Sequence, residues 1–200
     1  KLAMQTGTVI MWATELQPFL MGILVSVFVG IALTLPISSA AICAALGLTG
    51  LAGGAAVAGC SAQMIGFAVQ SYRENGVGGL LSQGLGTSML QMPNIVRNPR
   101  IWIGPIFASA ITGPLATCVF KLRMDGAAVS SGMGTCGLVG QIGVFTGWIS
   151  DMAAGTKAAI TSFDWLGLLF ISFVLPAILS PIINQGCCRL GWVKNGDMKL

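Results

Sequence analysis

Short charged knots divide this chain into long, mostly apolar stretches that carry no charge, at residues 16–72, 75–96, 101–120, 126–150 and 165–188. Each is long enough to cross ~30 Å of hydrocarbon at about 1.5 Å per helical residue, and the first could cross twice. The pattern predicts a first span over residues 18–35, entered through Glu15 and closed by Pro36, since proline cannot continue a helix that needs its N–H. Gly22, Ser26, Gly30 and Thr34 recur every four residues on it, a small-residue face that lets a second helix come close. Residues 37–49 are apolar but short and predict a half-helix or re-entrant segment. A second span follows over 50–72, with Gly50, Gly54, Ala58, Ala62 and Gly66 on one face, the longest such stripe in the sequence. Arg73 to Gly76 form a polar turn, and the glycine-rich stretch 77–92 predicts a second partial insertion or an interfacial helix. A third span over 101–122 tolerates Pro105 and Pro114, because neighbouring helices can satisfy freed carbonyls. The region 127–148 carries Gly132, Gly134, Gly137, Gly140, Gly143 and Gly147 and predicts a re-entrant hairpin buried in protein or lining a wet cavity. The last span, 165–185, is bent at Pro176 and Pro181.

The expected fold is therefore all-α integral membrane, with about four transmembrane helices plus re-entrant or broken Gly-rich segments. Residues 1–188 form one membrane-embedded domain, expected to be the C-terminal part of a longer chain, and residues 189–200 a polar C-terminal tail. Composition agrees: 54% of residues are hydrophobic and 8% charged, where soluble domains are about one quarter charged. The mean hydropathy is +0.85. Lipid is the expected solvent.

Charge placement adds a topology. With four crossings, Lys1, Arg73, Arg97, Arg100, Arg189, Lys194 and Lys199 share one face, and Lys121, Arg123 and Lys157 the other. The richer face is expected in the cytoplasm. Six cysteines lack metal-ligand spacing; Cys43, Cys60, Cys118 and Cys136 read as buried small hydrophobes, and Cys187 with Cys188 as an exposed vicinal pair.

Candidate chemistry is sparse. The chain has no histidine, no nucleophile elbow and no phosphate loop, so no catalytic residue, metal site or cofactor is expected, and no nucleic-acid partner. The six carboxylates fall at predicted span ends or in the tail, Glu15 at a helix start. Uncharged polar side chains remain in or beside the broken segments: Gln63, Gln91, Ser130, and the set Ser38, Ser39, Asn94, Ser131, Thr135 and Gln141. The last six are the expected substrate-binding residues for a small neutral polar solute, because amides and hydroxyls exchange hydrogen bonds with such a molecule and need no opposing charge. Interhelical bonding is the competing role for each one. Ser38, Ser39, Cys43, Leu46 and Gly47 also loosely echo Ser130, Ser131, Cys136, Leu138 and Gly140.

The run Pro36-Ile37-Ser38-Ser39, the block Gly50-Leu51-Ala52-Gly53-Gly54, Met92-Pro93-Asn94 followed by Asn98-Pro99, and Gly137-Leu138-Val139-Gly140 resemble the membrane-embedded IIC components of the bacterial sugar phosphotransferase system, in a poorly characterised branch. The resemblance implies a multi-pass protein of the bacterial inner membrane, a homodimer, re-entrant hairpins near the substrate, alternating access, and cytoplasmic phosphocarrier subunits as partners. The intramembrane glutamate motif of the sugar transporters is missing here. Three functions follow in order: a transporter of a small neutral polar solute, such as a sugar; an IIC-like sensor or regulatory protein that binds a ligand without transport; and, last, a membrane enzyme.

Overall fold

The computed structural model describes residues 2–200, with side chains from Gln5 onward; Lys1, counted above with the richer face, lies outside the described residues. Eleven α-helical pieces run in order: α1 (Leu2–Leu16), α2 (Pro18–Thr34), α3 (Ser39–Leu46), α4 (Gly50–Gln70), α5 (Tyr72–Leu81), α6 (Met92–Arg97), α7 (Ile103–Pro114), α8 (Ala128–Ser131), α9 (Val139–Ala153), α10 (Ser162–Leu169) and α11 (Leu175–Arg189). Short 3-10 and π-helical turns join several of them, and no strand occurs among the described residues. Three continuous helical stretches, Gly50–Gln70, Pro99–Val119 and Ser162–Arg189, are long and apolar enough to span a membrane, and Pro18–Thr34 is a shorter apolar helix.

The spine is α4. Its most apolar window is 89% buried inside the protein, against 33% for Ser162–Arg189, so α4 sits at the centre and α10–α11 turn a broad face outward to lipid. The small-residue stripes explain how backbones converge on it. A Cβ on Gly59 would strike the carbonyl of Ser26 in α2, and one on Gly54 the carbonyl of Leu122. Gly22 meets Gly113 and Thr117 beyond α7, while Gly66 meets Ser180 in α11. Such approach lets dispersion contacts and hydrogen bonds form where lipid supplies no hydrophobic drive. Ser26 Oγ donates to Ser109 O at 2.8 Å and Thr117 Oγ1 to Pro18 O at 2.7 Å, across these same contacts.

Contacts fix the directions. Pro18 lies beside Thr117 and Leu51, and Thr34 beside Gln63, so α2 runs parallel to α4. The α7 helix runs the other way, from Gly104 beside Gln70 and Ser180 to Gly113 beside Gly22. One end of the bundle, here the Glu15 end, collects Glu15, Arg123, Asp125, Lys157 and Asp164 in ion pairs of 2.8–3.1 Å. The opposite, Arg73 end holds Glu74, Asn98 and Arg100 against tail residues. Among the described residues, Lys121, Arg123 and Lys157 lie at the first end and Arg73, Arg100, Arg189, Lys194 and Lys199 at the second, as the charge pattern divides them.

Two hairpins dip into the bundle from opposite ends. Residues 126–153 leave the Glu15 end beside Met124, which pairs with Gly50 at the start of α4. They descend to Cys60 and Ser61, where Gly134 packs, and return through α9 to Trp148 beside Leu122 and Val57. Residues 72–98 leave the Arg73 end, reach Ile65 and Ala68 at Gly84, and return to Ile95 beside Phe67. At 1.5 Å per residue of α4, the first penetrates about 16 Å and the second about 10 Å. The predicted broken character of both segments is borne out.

Three features depart from the sequence reading. Residues 2–16, assigned no element there, form α1, which packs on α2 and α3 through Ile10 and Met11. The tail is docked rather than merely polar: Val193 and Met198 are buried with Phe67, Ile95 and Ile101. Among the cysteines, Cys187 is buried because it faces the tail cluster, while Cys118 and Cys188 are exposed and Cys136 is only half-buried.

Candidate solute site at the hairpin tips

The hairpin tips meet. Thr135 Oγ1, buried at the turn of the 126–153 hairpin, donates to the backbone carbonyl of Gly84 in the 72–98 hairpin at 2.6 Å. The turn itself is built by three residues with positive φ: Gly134 (54°), Gly137 (51°) and Leu138 (60°). Gly134 is required twice over, since it takes a left-handed conformation and rests on the backbone of Cys60 and Ser61. Leu138 adopts the same region without glycine's freedom, a strain of about 1–2 kcal/mol that the surrounding contacts must hold.

Buried polar side chains lie on two sides of α4 near this junction. Thr34, at the end of α2, hydrogen bonds with Ser88 Oγ at 2.8 Å and donates to Gln63 Oε1 at 3.3 Å. Gln63 Oε1 also accepts from Trp102 Nε1 at 2.7 Å, and Gln63 Nε2 donates to Ser109 Oγ at 3.2 Å. Two residues back, on the other side of α4, Gln141 Nε2 donates to Ser61 Oγ at 3.3 Å, and the Gln141 carbonyl oxygen, buried, has no partner. A buried acceptor left open costs about 1–3 kcal/mol, which a donor hydroxyl would recover.

The six expected binding residues are placed as follows. Thr135 and Gln141 lie at the junction. Ser39 Oγ donates to Gly132 O at 2.7 Å and Ser131 Oγ to Ala128 O at 2.7 Å, so both belong to the wall between α3 and the 126–153 hairpin. That contact also brings the two echoing Ser-Ser segments side by side. Ser38 caps α3, accepting from Ala41 N at 3.1 Å, and is exposed. Asn94 stands apart at the Arg73 end, where its Nδ2 donates to Gln91 Oε1 and Lys199 O at 2.9 and 3.0 Å. Sequence reasoning left Thr34, Ser88, Trp102 and Ser109 out. The four-residue spacing of Ser26, Gly30 and Thr34 marks that helix face, but such a pattern signals packing and carries no ligand chemistry.

Charged groups sit well away from the junction. At the Glu15 end a cavity of about 490 Å³ is lined by Lys121, Arg123, Asp125, Asp151, Lys157 and Asp164. Partial burial alone would lower the Arg123 pKa, but Asp125 and Glu15 override that effect and hold it above its ordinary value. No cluster of groups suited to a metal ion occurs among the described residues.

The paired re-entrant hairpins and the polar junction set the architecture beside the sequence comparison. A family model described as Phosphotransferase system, EIIC, matches residues 1–200. The chain belongs to that family. It is accordingly a membrane transport component of the phosphotransferase system. No curated protein and no solved structure matches it. For an EIIC chain, the half-helices at residues 37–49, 72–98 and 126–153 acquire a purpose: irregular backbone at membrane depth is tolerated where it is buried in protein or lines a water-filled path.

Proposed function

We propose that this EIIC chain carries a neutral polyhydroxylated solute, a sugar, across the bacterial inner membrane by alternating access at the junction of the two hairpin tips. The observation that supports it best is the 2.6 Å bond from Thr135 to Gly84, which joins hairpins entering from opposite ends. Parting the tips on one side while the other stays closed would open the junction alternately to each end. The open acceptor of Gln141, with the uncharged groups Thr34, Gln63, Ser61 and Ser88 on the two sides of α4 near it, suits hydroxyls rather than ions. The chain works as a homodimer in this reading, with cytoplasmic phosphocarrier subunits as partners.

Reconstituted protein in liposomes, given radiolabelled hexoses and hexitols, tests the proposal. Gln141→Ala and Thr135→Val are expected to lower uptake about tenfold or more, each removing one or two hydrogen bonds at ~1 kcal/mol apiece, while elution profiles stay those of the parent. Unchanged uptake in both variants would remove the junction from the transport path.

Orientation gives a second test. The Arg73 end, with Arg73, Arg97, Arg100, Arg189, Lys194 and Lys199, is the cytoplasmic end by the distribution of basic residues. In a cysteine-free variant, an impermeant thiol reagent added to intact cells should label a cysteine placed at 157 and spare one at 194. The reverse pattern would invert the topology.

A further inference from the structure

The Arg73 end contains a cavity of about 290 Å³ between the end of α4, the second half of α11 and the docked tail. Its walls include Arg73, Arg189 and Lys194 against a single carboxylate, Glu74. That carboxylate is already committed: its two oxygens accept the backbone N–H groups of Gly196 and Met198, both at 3.0 Å. The three cations form no ion pair among the described residues. The cavity is therefore left with an excess of positive charge, and its one acid cannot cancel it.

A second feature lies in the same place. Gln70 and Asn184, 8% and 7% exposed, also line this cavity. The carbonyl oxygen of each has no hydrogen-bond partner, and neither does Ser180 Oγ one turn inward on α11. These are three of the five buried side-chain polar atoms without a partner among the described residues. The Gln70 carboxamide is not free to exchange its ends, because its Nε2 donates to Ile101 O at 3.0 Å. Open acceptors call for donors, and unpaired cations call for an anion.

We infer that this cavity binds a phosphate ester bearing free hydroxyl groups, its phosphate held by Arg73, Arg189 and Lys194 and its hydroxyls directed to Gln70 and Asn184. Arginine suits the role through its planar fork of donors for phosphate oxygens. The chemistry is shared by a soluble sugar or glycerol phosphate and by the headgroup of phosphatidylglycerol, and it is independent of any solute at the hairpin tips.

Purified protein is titrated with glycerol 1-phosphate, a hexose 6-phosphate, glycerol and inorganic phosphate, in nanodiscs of phosphatidylcholine, with calorimetry and thermal midpoints as readouts. A parallel series compares nanodiscs with and without phosphatidylglycerol. Saturable binding of a soluble ester assigns the site to a solute; a raised midpoint with phosphatidylglycerol alone assigns it to the lipid. In either case the double variant Arg73→Gln/Arg189→Gln should weaken the effect about ten- to a hundredfold, and Arg189→Lys should keep most of it. Both arginines are exposed, so the ligand-free midpoint of each variant should stay near that of the parent. No effect from any ester or lipid, inorganic phosphate binding as tightly as its esters, or an undiminished effect in the double variant would each overturn the assignment.

Discussion

Gly54→Ala is expected to abolish recovery of folded protein, while Gly78→Ala, also within a helix, leaves it intact. The added methyl at position 54 would collide with the carbonyl oxygen of Leu122, and at position 78 it would meet nothing within 4 Å. The obstacle at 54 is backbone that is itself pinned, since Leu122 N donates to Ala116 O at 2.7 Å and Met124 N to Gly50 O at 3.0 Å. Neither partner can rotate away as a side chain tip could, so α4 must shift, and every helix packed on it must follow. Overpacking of this kind costs about 1–3 kcal/mol in ordinary cores and more when backbone meets backbone. Gly78→Ala should gain up to ~1 kcal/mol of helix propensity. Gel filtration in detergent, with thermal midpoints, distinguishes the outcomes; a Gly54→Ala variant that elutes and melts like the parent would refute the close packing.

Removing residues 192–200 should loosen the 72–98 hairpin and spare the 126–153 hairpin. The tail fastens the former through five side chains. Glu74 accepts from Gly196 N and Met198 N, and Asn75 both donates to Met198 O and accepts from Leu200 N, at 2.8–3.0 Å. Gln91, Asn94 and Asn98 donate to Met198 O, Lys199 O and Trp192 O at 2.9–3.0 Å. Truncation also uncovers the cluster that Val193 and Met198 complete, about 1.5–3 kcal/mol for each side chain. Amide exchange over 72–98 should accelerate by at least an order of magnitude, with little change over 126–153. Equal protection of the first hairpin before and after truncation would show that the tail is not what holds it.

Much of this architecture was legible in the sequence because lipid permits few solutions. Uncharged length gave the spans, and four-residue repeats of small side chains gave the faces that touch, at Gly22, Ser26, Gly30, Gly54 and Gly66. Glycine density marked 127–148 as re-entrant. The site was less legible. Thr135 and Gln141 could be picked out as polar groups in a broken segment, but the partner that makes Thr135 informative is the main-chain carbonyl of Gly84, and a carbonyl has no signature in a sequence. Asn94 carried the same polar signal and turned out to hold the tail. The tail read as polar because its lysines and Asn195 outnumber Val193 and Met198, the two side chains that fix its place. Helix α1 was missed because, at 15 residues with Gln5, Thr6 and Thr8 among them, it lacks the length and hydropathy of a crossing.

The near-complete enclosure of α4 also bears on how the molecule is made. The peptide groups of 132–138 at the hairpin turn find shelter in α3, α4 and the opposing hairpin, none of which the hairpin itself supplies. Hydrocarbon offers such backbone no substitute partner. The 126–153 segment can therefore settle only once α4 is in the bilayer to receive it. Biogenesis is thereby ordered by a single helix. Lesions along α4 should surface as clearance of newly made chains by membrane proteases, whereas truncation of a tip side chain such as Thr135→Val should leave abundance near that of the parent.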